Sequence, residues 1–496
     1  MIEDVPSPLV SHTKETSPAY TVLQALDESK FTGFHWKAMI TSGMGFFTDA
    51  YDLFIIGVAL SLLTPLWHLS ALEVGLLGST SLIAAALGSL LFGRLADAIG
   101  RHSIYGWTLI VLAIGALASA FSPNVVYLLI FRFILGLGIG GDYPLSATLM
   151  SEYANRRDRG KMITLVFSMQ AVGLILGPLV ALILLVSGIN HDLAWRVMLG
   201  LGAVPALATF YLRRQIAETP RYALAMQGDV TGAEQTLQRI RNTSSGAATT
   251  APVSTAMRSK ARKRQGALSK QSWLFLFLRQ PYLRWLIGTS VCWFLLDIAY
   301  YGTTISSPLV LKSLNSHTSL ELTMVYTLLI FVVAALPGYI LAAFTIDRLG
   351  RKWIQCVGFA MMTLTYGLIA LVPAVASFTL PFLLVYGVSY FFAEFGPNVT
   401  TFVYPAEVFP VMIRTTGHGL AAALGKVGAF LGALLFPLLL SYYHLSGAMA
   451  FAAVMSLIGL VLTVFLLPEP KQRSLEDISN EHEVTATRQE ALSAKR

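Results

Sequence analysis

Six side chains able to hold a proton or a small charged group interrupt the most apolar parts of this chain. They are Asp49, Asp142, Asp297, Gln170, Asn398 and Lys426. Asp142 sits in Arg132-Phe-Ile-Leu-Gly-Leu-Gly-Ile-Gly-Gly-Asp142-Tyr143-Pro-Leu-Ser-Ala-Thr-Leu-Met-Ser-Glu152, an otherwise apolar run. If that run lies in lipid, the carboxylate costs at least about 2.5–3.5 kcal/mol on insertion scales, which marks it as functional. Glycines 136, 138, 140 and 141 leave a bare helix face that a neighbouring helix can approach closely. Asp49 and Asp52 stand at i,i+3 on one helix face. Charges so close are costly together, which suits one of them to carry a proton. The alternative is that Asp52 only orients its neighbour.

The elements that must position these groups are membrane helices. Of 496 residues, 55% are hydrophobic and 12% charged, about half the charged share of a soluble domain. Apolar stretches able to cross ~30 Å of hydrocarbon recur at 38–63, 73–93, 103–121, 125–148, 162–187, 195–212, 283–306, 321–345, 353–373, 376–403, 418–440 and 446–467. These twelve spans are too long and too uniformly apolar for barrel strands, so an all-α membrane protein of two six-helix bundles is expected. Its organisation reads as a tail (1–34), a first bundle (35–212), a linker (213–282), a second bundle (283–470) and a second tail (471–496). The tails and residues ~240–270 have the composition of flexible segments.

Basic residues fall on one side. Arg94 and Arg101, then Arg156, Arg157, Arg159 and Lys161, then the 213–284 loop, then Arg348, Arg351 and Lys352, then Arg414, all follow even-numbered spans. The opposite loops carry little beyond Lys312 and Arg196. Both termini are therefore expected in the cytoplasm, and the net charge of +8 is a topology signal that calls for no nucleic acid. The N-terminus lacks the basic-then-apolar order of a cleaved signal. Cys292 and Cys356 lie within spans and read as packing residues. No P-loop, zinc-spaced cluster or nucleophile elbow is present, so no enzyme, cofactor or metal is expected.

The halves echo each other. Gly93-Arg-Leu-Ala-Asp97-Ala-Ile-Gly100-Arg101 returns as Ala343-Phe-Thr-Ile-Asp347-Arg-Leu-Gly350-Arg351, and Glu152 with Arg159 returns as Glu407 with Arg414. These eight residues (Asp97, Arg101, Glu152, Arg159, Asp347, Arg351, Glu407 and Arg414) read as ion pairs closing one gate, in preference to ligands. Parallel six-helix repeats place a binding site near the midplane between the halves. Counting ~1.5 Å per residue from the nearest flanking charge brings Asp49, Asp142, Gln170, Asp297, Asn398 and Lys426 to about the same depth. Tyr143, Trp293 and Tyr301 lie nearby, though Tyr143 and Trp293 also suit helix packing, and Asn398 could satisfy backbone freed at Gly396-Pro397.

The Asp97 and Asp347 loops, with Ala217-Glu-Thr-Pro-Arg221 and Pro468-Glu-Pro-Lys471, resemble signatures of the major facilitator superfamily over about residues 35–472. Gly138-Ile-Gly-Gly-Asp142-Tyr-Pro-Leu-Ser-Ala-Thr148 closely resembles the signature of its phosphate:proton symporters. So do Gly45-Phe-Phe-Thr-Asp49-Ala-Tyr-Asp52-Leu-Phe54, Trp293-Phe-Leu-Leu-Asp297, Phe395-Gly-Pro-Asn398-Val-Thr-Thr-Phe402 and His418-Gly-Leu-Ala-Ala-Ala-Leu-Gly-Lys426. The resemblance implies proton-coupled import of inorganic phosphate by alternating access; short outer loops and compact tails point to a plasma (cell inner) membrane, and a monomer is expected. It implies phosphate ligation by Tyr143, Gln170, Trp293, Asp297, Tyr301 and Asn398, with Asp142 beside them. It implies proton handling by Asp49, Asp52, Asp142 and Asp297, with Arg132 and Lys426 as charge partners. The chemistry agrees: dihydrogen phosphate needs donors and acceptors, and a protonated acid can donate where an ionised one repels. Two departures, Gly302-Thr303 after Tyr301 and the extra acid Glu394, leave a glycerophosphodiester or another small organic anion open as substrate. A phosphate-sensing transceptor is the reading from a different class.

Overall fold

A computed structural model describes residues 18–242, 273–307, 310–311 and 319–481. Eleven helices among them are long and apolar enough to cross a membrane, and the last, Arg414–Leu466, is two helices joined at a break. At His444 the backbone turns to φ 59°, ψ −171°, outside any helical basin. The twelve spanning helices are α1 (Gly33–Trp67), α2 (Ala71–Ile99), α3 (Arg101–Ala120), α4 (Val125–Tyr153), α5 (Arg159–Val186), α6 (His191–Arg214), α7 (Tyr282–Ile305), α8 (Leu320–Leu349), α9 (Arg351–Leu371), α10 (Thr379–Val408), α11 (414–443) and α12 (445–466).

Local chemistry sets their ends. Ser70 and Glu73 form a capping box at the start of α2, and the Asn124 side chain accepts from the amides of Val126 and Tyr127 at the start of α4. Gly100 and Gly350, at φ 121° and 101°, make the equivalent sharp turns after α2 and α8. The α10 helix breaks at Gly396, because the ring of Pro397 disfavours helical backbone in the residue before it.

In the first bundle α4 packs on α2 and α3, and α1 on α5; in the second α7 packs on α11 and α9 on α12. The bare face of α4 is what lets α2 come close: a Cβ on Gly140 would lie 1.9 Å from the Ala85 carbonyl oxygen. The bundles meet along α2 with α11 and along α5 with α8, a symmetric pair of seams.

At the basic end the chain builds a small helical layer where the sequence suggests loose tails and linker. It comprises Pro18–Asp27, Pro220–Tyr222 with a π-turn to Gln227, Val230–Asn242 and Leu475–Ile478. Leu26, Ala233, Ile240, Leu475 and Ile478 are buried in it. These apolar positions are too few per segment to stand out from a polar background, and they become legible only when the segments cover one another. Most of the expected flexible linker, 243–272, and the outer parts of both tails lie outside the described residues. Cys292 and Cys356 are free thiols.

Candidate functional site

At mid-depth α1, α4, α5, α7, α8, α10 and α11 turn polar side chains toward the line where the halves meet. Lys426 from α11 is the centre. Its ammonium donates to the Tyr143 hydroxyl at 2.8 Å and to the Tyr301 hydroxyl, and lies 4.2 and 4.6 Å from the centres of those two rings. Tyr143 in turn donates to Asp49 Oδ2 at 2.5 Å, and Lys426 is 3.9 Å from the same oxygen. Lysine from one half, tyrosine and aspartate from the other therefore form one chain. Asp297 and Trp293 lie on the same face of α7 as Tyr301, and Asp297 Oδ2 is buried without a hydrogen-bond partner.

A second cluster adjoins it. Asn398 Nδ2 reaches the Tyr339 hydroxyl at 2.8 Å, Gln170 Oε1 at 3.3 Å, and Glu394 Oε2. Tyr339 donates to Gln170 Oε1 at 2.6 Å, and Tyr300 donates to Glu394 Oε1 at 2.6 Å. Gln170 belongs to the first half and the rest to the second, so this network also crosses the seam. All of these side chains are buried.

Aromatic layers close the chamber at both ends. Toward the basic end Phe167 stacks on Phe402 with centroids 4.5 Å apart, and Phe46 meets Phe402 edge-on at 5.0 Å, joining the halves. Toward the other end Phe54 meets Phe331 at 5.9 Å. His418 is buried against Trp293 and Phe402, with Nε2 3.0 Å from the Phe402 carbonyl oxygen.

Two of the candidate residues are held elsewhere. Asp142 is clasped by both terminal nitrogens of Arg213, with Nη2 at 2.9 Å from Oδ2. That guanidinium lies 4.0 Å over the Tyr105 ring, and Thr108 reaches Asp142 Oδ1 at 3.5 Å. The carboxylate thus faces α1, α3 and α6 within the first bundle, one side chain away from the Lys426 chain. Asp52 is bonded by Arg132 at 2.5 Å, and Arg132 also donates to Ser81 at 3.0 Å.

The eight repeated charges converge at the basic end. Arg159 bonds Glu407 at 2.9 Å and Arg414 bonds Glu152 at 3.1 Å, each pair linking the two halves. Arg101 joins Glu152 at 3.2 Å and Asp97 at 3.0 Å; Arg351 joins Glu407 at 2.7 Å and Asp347 at 2.9 Å. Asp97 accepts from the amides of Thr415 and Thr416 at the start of α11, and Asp347 from those of Gly160 and Lys161 at the start of α5. Each carboxylate therefore caps the positive end of a helix in the opposite bundle.

Sequence reading missed Arg213, Tyr339 and Tyr300. The depth ruler would have found Tyr339, which stands twelve residues before Arg351. Arg213 gave no such signal, because it borders a basic loop and only its long side chain reaches inward.

Two six-helix bundles around a closed polar chamber, with a symmetric charged seam at one end, define a multi-pass membrane transporter of the major facilitator fold. The chain belongs to the sugar (and other) transporter family, whose match covers residues 26–482. It is 37% identical to "Probable inorganic phosphate transporter 1-6" of Arabidopsis thaliana, over 93% of this chain and 97% of that protein. It is 38% identical to "Low affinity inorganic phosphate transporter 4" of Medicago truncatula, over 94% and 96% respectively. Among solved structures, the proton:xylose symporter XylE bound to 6-bromo-6-deoxy-D-glucose superposes with a TM-score of 0.76 at 20% identity, covering 90% of this chain and 98% of that one.

Proposed function

We propose that the protein imports inorganic phosphate together with protons, by rocking its two bundles around the mid-depth chamber. The observation that carries this reading is the Lys426–Tyr143–Asp49 chain across the seam, beside the unpartnered oxygen of Asp297. One ammonium, two phenols and two acids in a dry space attract an anion only when an acid is protonated. Anion and proton then favour each other, which is the requirement for symport. The names of the relatives support phosphate as that anion.

Tyr143, Gln170, Trp293, Asp297, Tyr301 and Asn398 would hold the phosphate and Lys426 would balance its charge. Asp49, Asp52 and Asp297 would pass protons, with Arg132 releasing Asp52 as it does so. Asp142 would act through its pair with Arg213. The basic end would face the cytoplasm, placing both termini there, in the plasma membrane of the cell, and the chain would work as a monomer. The ion pairs at that end would form the cytoplasmic gate, closed here.

The test is uptake of labelled phosphate by reconstituted vesicles under an imposed pH gradient. Accumulation that collapses when the gradient is dissipated is expected. Accumulation indifferent to the gradient would refute coupling, and displacement of the label by a glycerophosphodiester at lower concentration than by phosphate would reassign the substrate.

A further inference from the structure

Most buried carboxylates of the spanning helices have a cation within ion-pair distance. Asp52 has Arg132, Asp97 has Arg101, Asp142 has Arg213, Glu152 has Arg101 and Arg414, Glu407 has Arg159 and Arg351, and Asp49 has Lys426 at 3.9 Å. Among the described residues Asp297 and Glu394 have none. Asp297 already belongs to the proposed site. Glu394, fully buried on α10, is left over.

Phenols and amides surround it. Tyr300 of α7 donates to Oε1 at 2.6 Å, and Asn398, one turn along α10, donates to Oε2. Tyr339 of α8 joins through Asn398, and a Cβ on Gly338 would lie 3.1 Å from that of Glu394. Tyr301 of α7 and Tyr366 of α9 are further titratable groups within its field. A buried charge with hydrogen bonds but no counter-ion is costly, and binding a proton removes that cost.

The amide links this acid to the anion. Asn398 has two N–H bonds to give, and three acceptors compete for them: Glu394 Oε2, the Tyr339 hydroxyl and Gln170 Oε1. An ionised Glu394 takes one N–H and also repels any anion nearby. A proton on Glu394 weakens that hold and lifts the repulsion, so a donor is freed as the anion arrives.

We propose that Glu394 is a further proton-carrying residue, whose protonation releases the Asn398 amide to the substrate. The proposal rests on the proton-coupled reading of the chamber. One carboxyl O–H bond forms while the chamber faces one compartment, and the same bond breaks after it opens to the other. Because Gln170 lies across the seam, the charge on Glu394 is also felt where the halves part.

The experiment is uptake of labelled phosphate by wild type and Glu394→Gln in vesicles, with charge movement recorded alongside. In wild type, gradient-driven accumulation is expected; its absence overturns the symport reading and this proposal with it. In Glu394→Gln, the charge moved per phosphate should fall by one. The accumulation limit should fall about tenfold per unit of imposed pH gradient, and the pH profile should flatten. An unchanged charge ratio with a parallel pH profile would overturn the role of Glu394 while leaving symport intact. If Glu394→Gln fails to fold, Tyr300→Phe decides. The ionised carboxylate loses a donor, so the alkaline limb of uptake should move to higher pH, and an unmoved limb overturns the proposal.

Discussion

The two polar regions of this molecule balance charge in opposite ways. At the basic end, Asp97, Glu152, Asp347 and Glu407 each face at least one guanidinium; backbone amides also meet both aspartates, Thr219 donates to Glu152, and Arg351 spans both oxygens of Glu407. At mid-depth, Lys426 alone stands among Asp49, Asp297, Glu394, four phenols and two amides. A balanced seam keeps its strength in pairs that water can replace when the halves part, so it can open and re-form. An unbalanced chamber is stable only when something adjusts its charge. The first arrangement suits a lock and the second a site that must be filled.

The comparison breaks if removing charge from the chamber is tolerated. Lys426→Met should lower uptake at subsaturating phosphate by roughly 10–100-fold, the size of a lost charge-assisted hydrogen bond or two. Asp297→Asn should abolish accumulation against a gradient while the protein remains folded, as read by its elution as a single species in detergent. Near-normal accumulation by Asp297→Asn would remove Asp297 from the mechanism, and the chamber would lose its distinction from the seam.

Asp142 sharpens the contrast, because its glycine-rich signature placed it beside the expected phosphate ligands and among the proton-handling acids, yet it is charge-balanced like a seam residue. Arg213→Met alone leaves a buried carboxylate unpaired and should cost about 3–5 kcal/mol of stability. Adding Asp142→Leu should recover much of that in a thermal melt. Gly45→Ala tests the same pair sterically, since a Cβ there would sit 1.7 Å from Asp142 Oδ2. Transport by the double variant at wild-type rate would mean that the pair is purely structural.

How much of this was visible in the sequence differs between the regions for a physical reason. Helix number, the repeat and the depth of the polar residues follow from periodicities of the chain itself, and the lipid enforces them. Glu152 and Arg159 could be matched to Glu407 and Arg414 because the repeat writes each element twice. Which partner a side chain takes is set by helix rotation and rotamer, which no spacing encodes. Asp142 therefore looked like part of the chamber although Arg213 holds it, and the depth of Tyr339 was legible although its bridge between Gln170 and Asn398 was not. The layer at the basic end was hidden because Val22 and Leu26, Leu237 and Ile240, and Leu475 and Ile478 are sparse apolar positions in polar segments, buried only once those segments pack on one another and on the bundles.

That layer supplies the smallest expected effect. Arg221 bonds Asp27 at 2.5 Å and also Glu476, so one guanidinium ties the segment before α1, the linker and the segment after α12. It is buried, but both acids are partly exposed, so salt should screen the pairs more than those of the seam proper. Arg221→Gln should therefore cost only about 1–2 kcal/mol in a melt, less at high ionic strength. Glu407→Gln should loosen Arg159 and Arg351 together, with little dependence on salt. If the basic end acts as one lock, Arg221→Gln should also raise the reactivity of a cysteine at buried Val411 toward a thiol reagent by a few fold, and Glu407→Gln by more. Equal labelling of both variants and the parent would mean that the layer only covers the seam and takes no part in holding it shut.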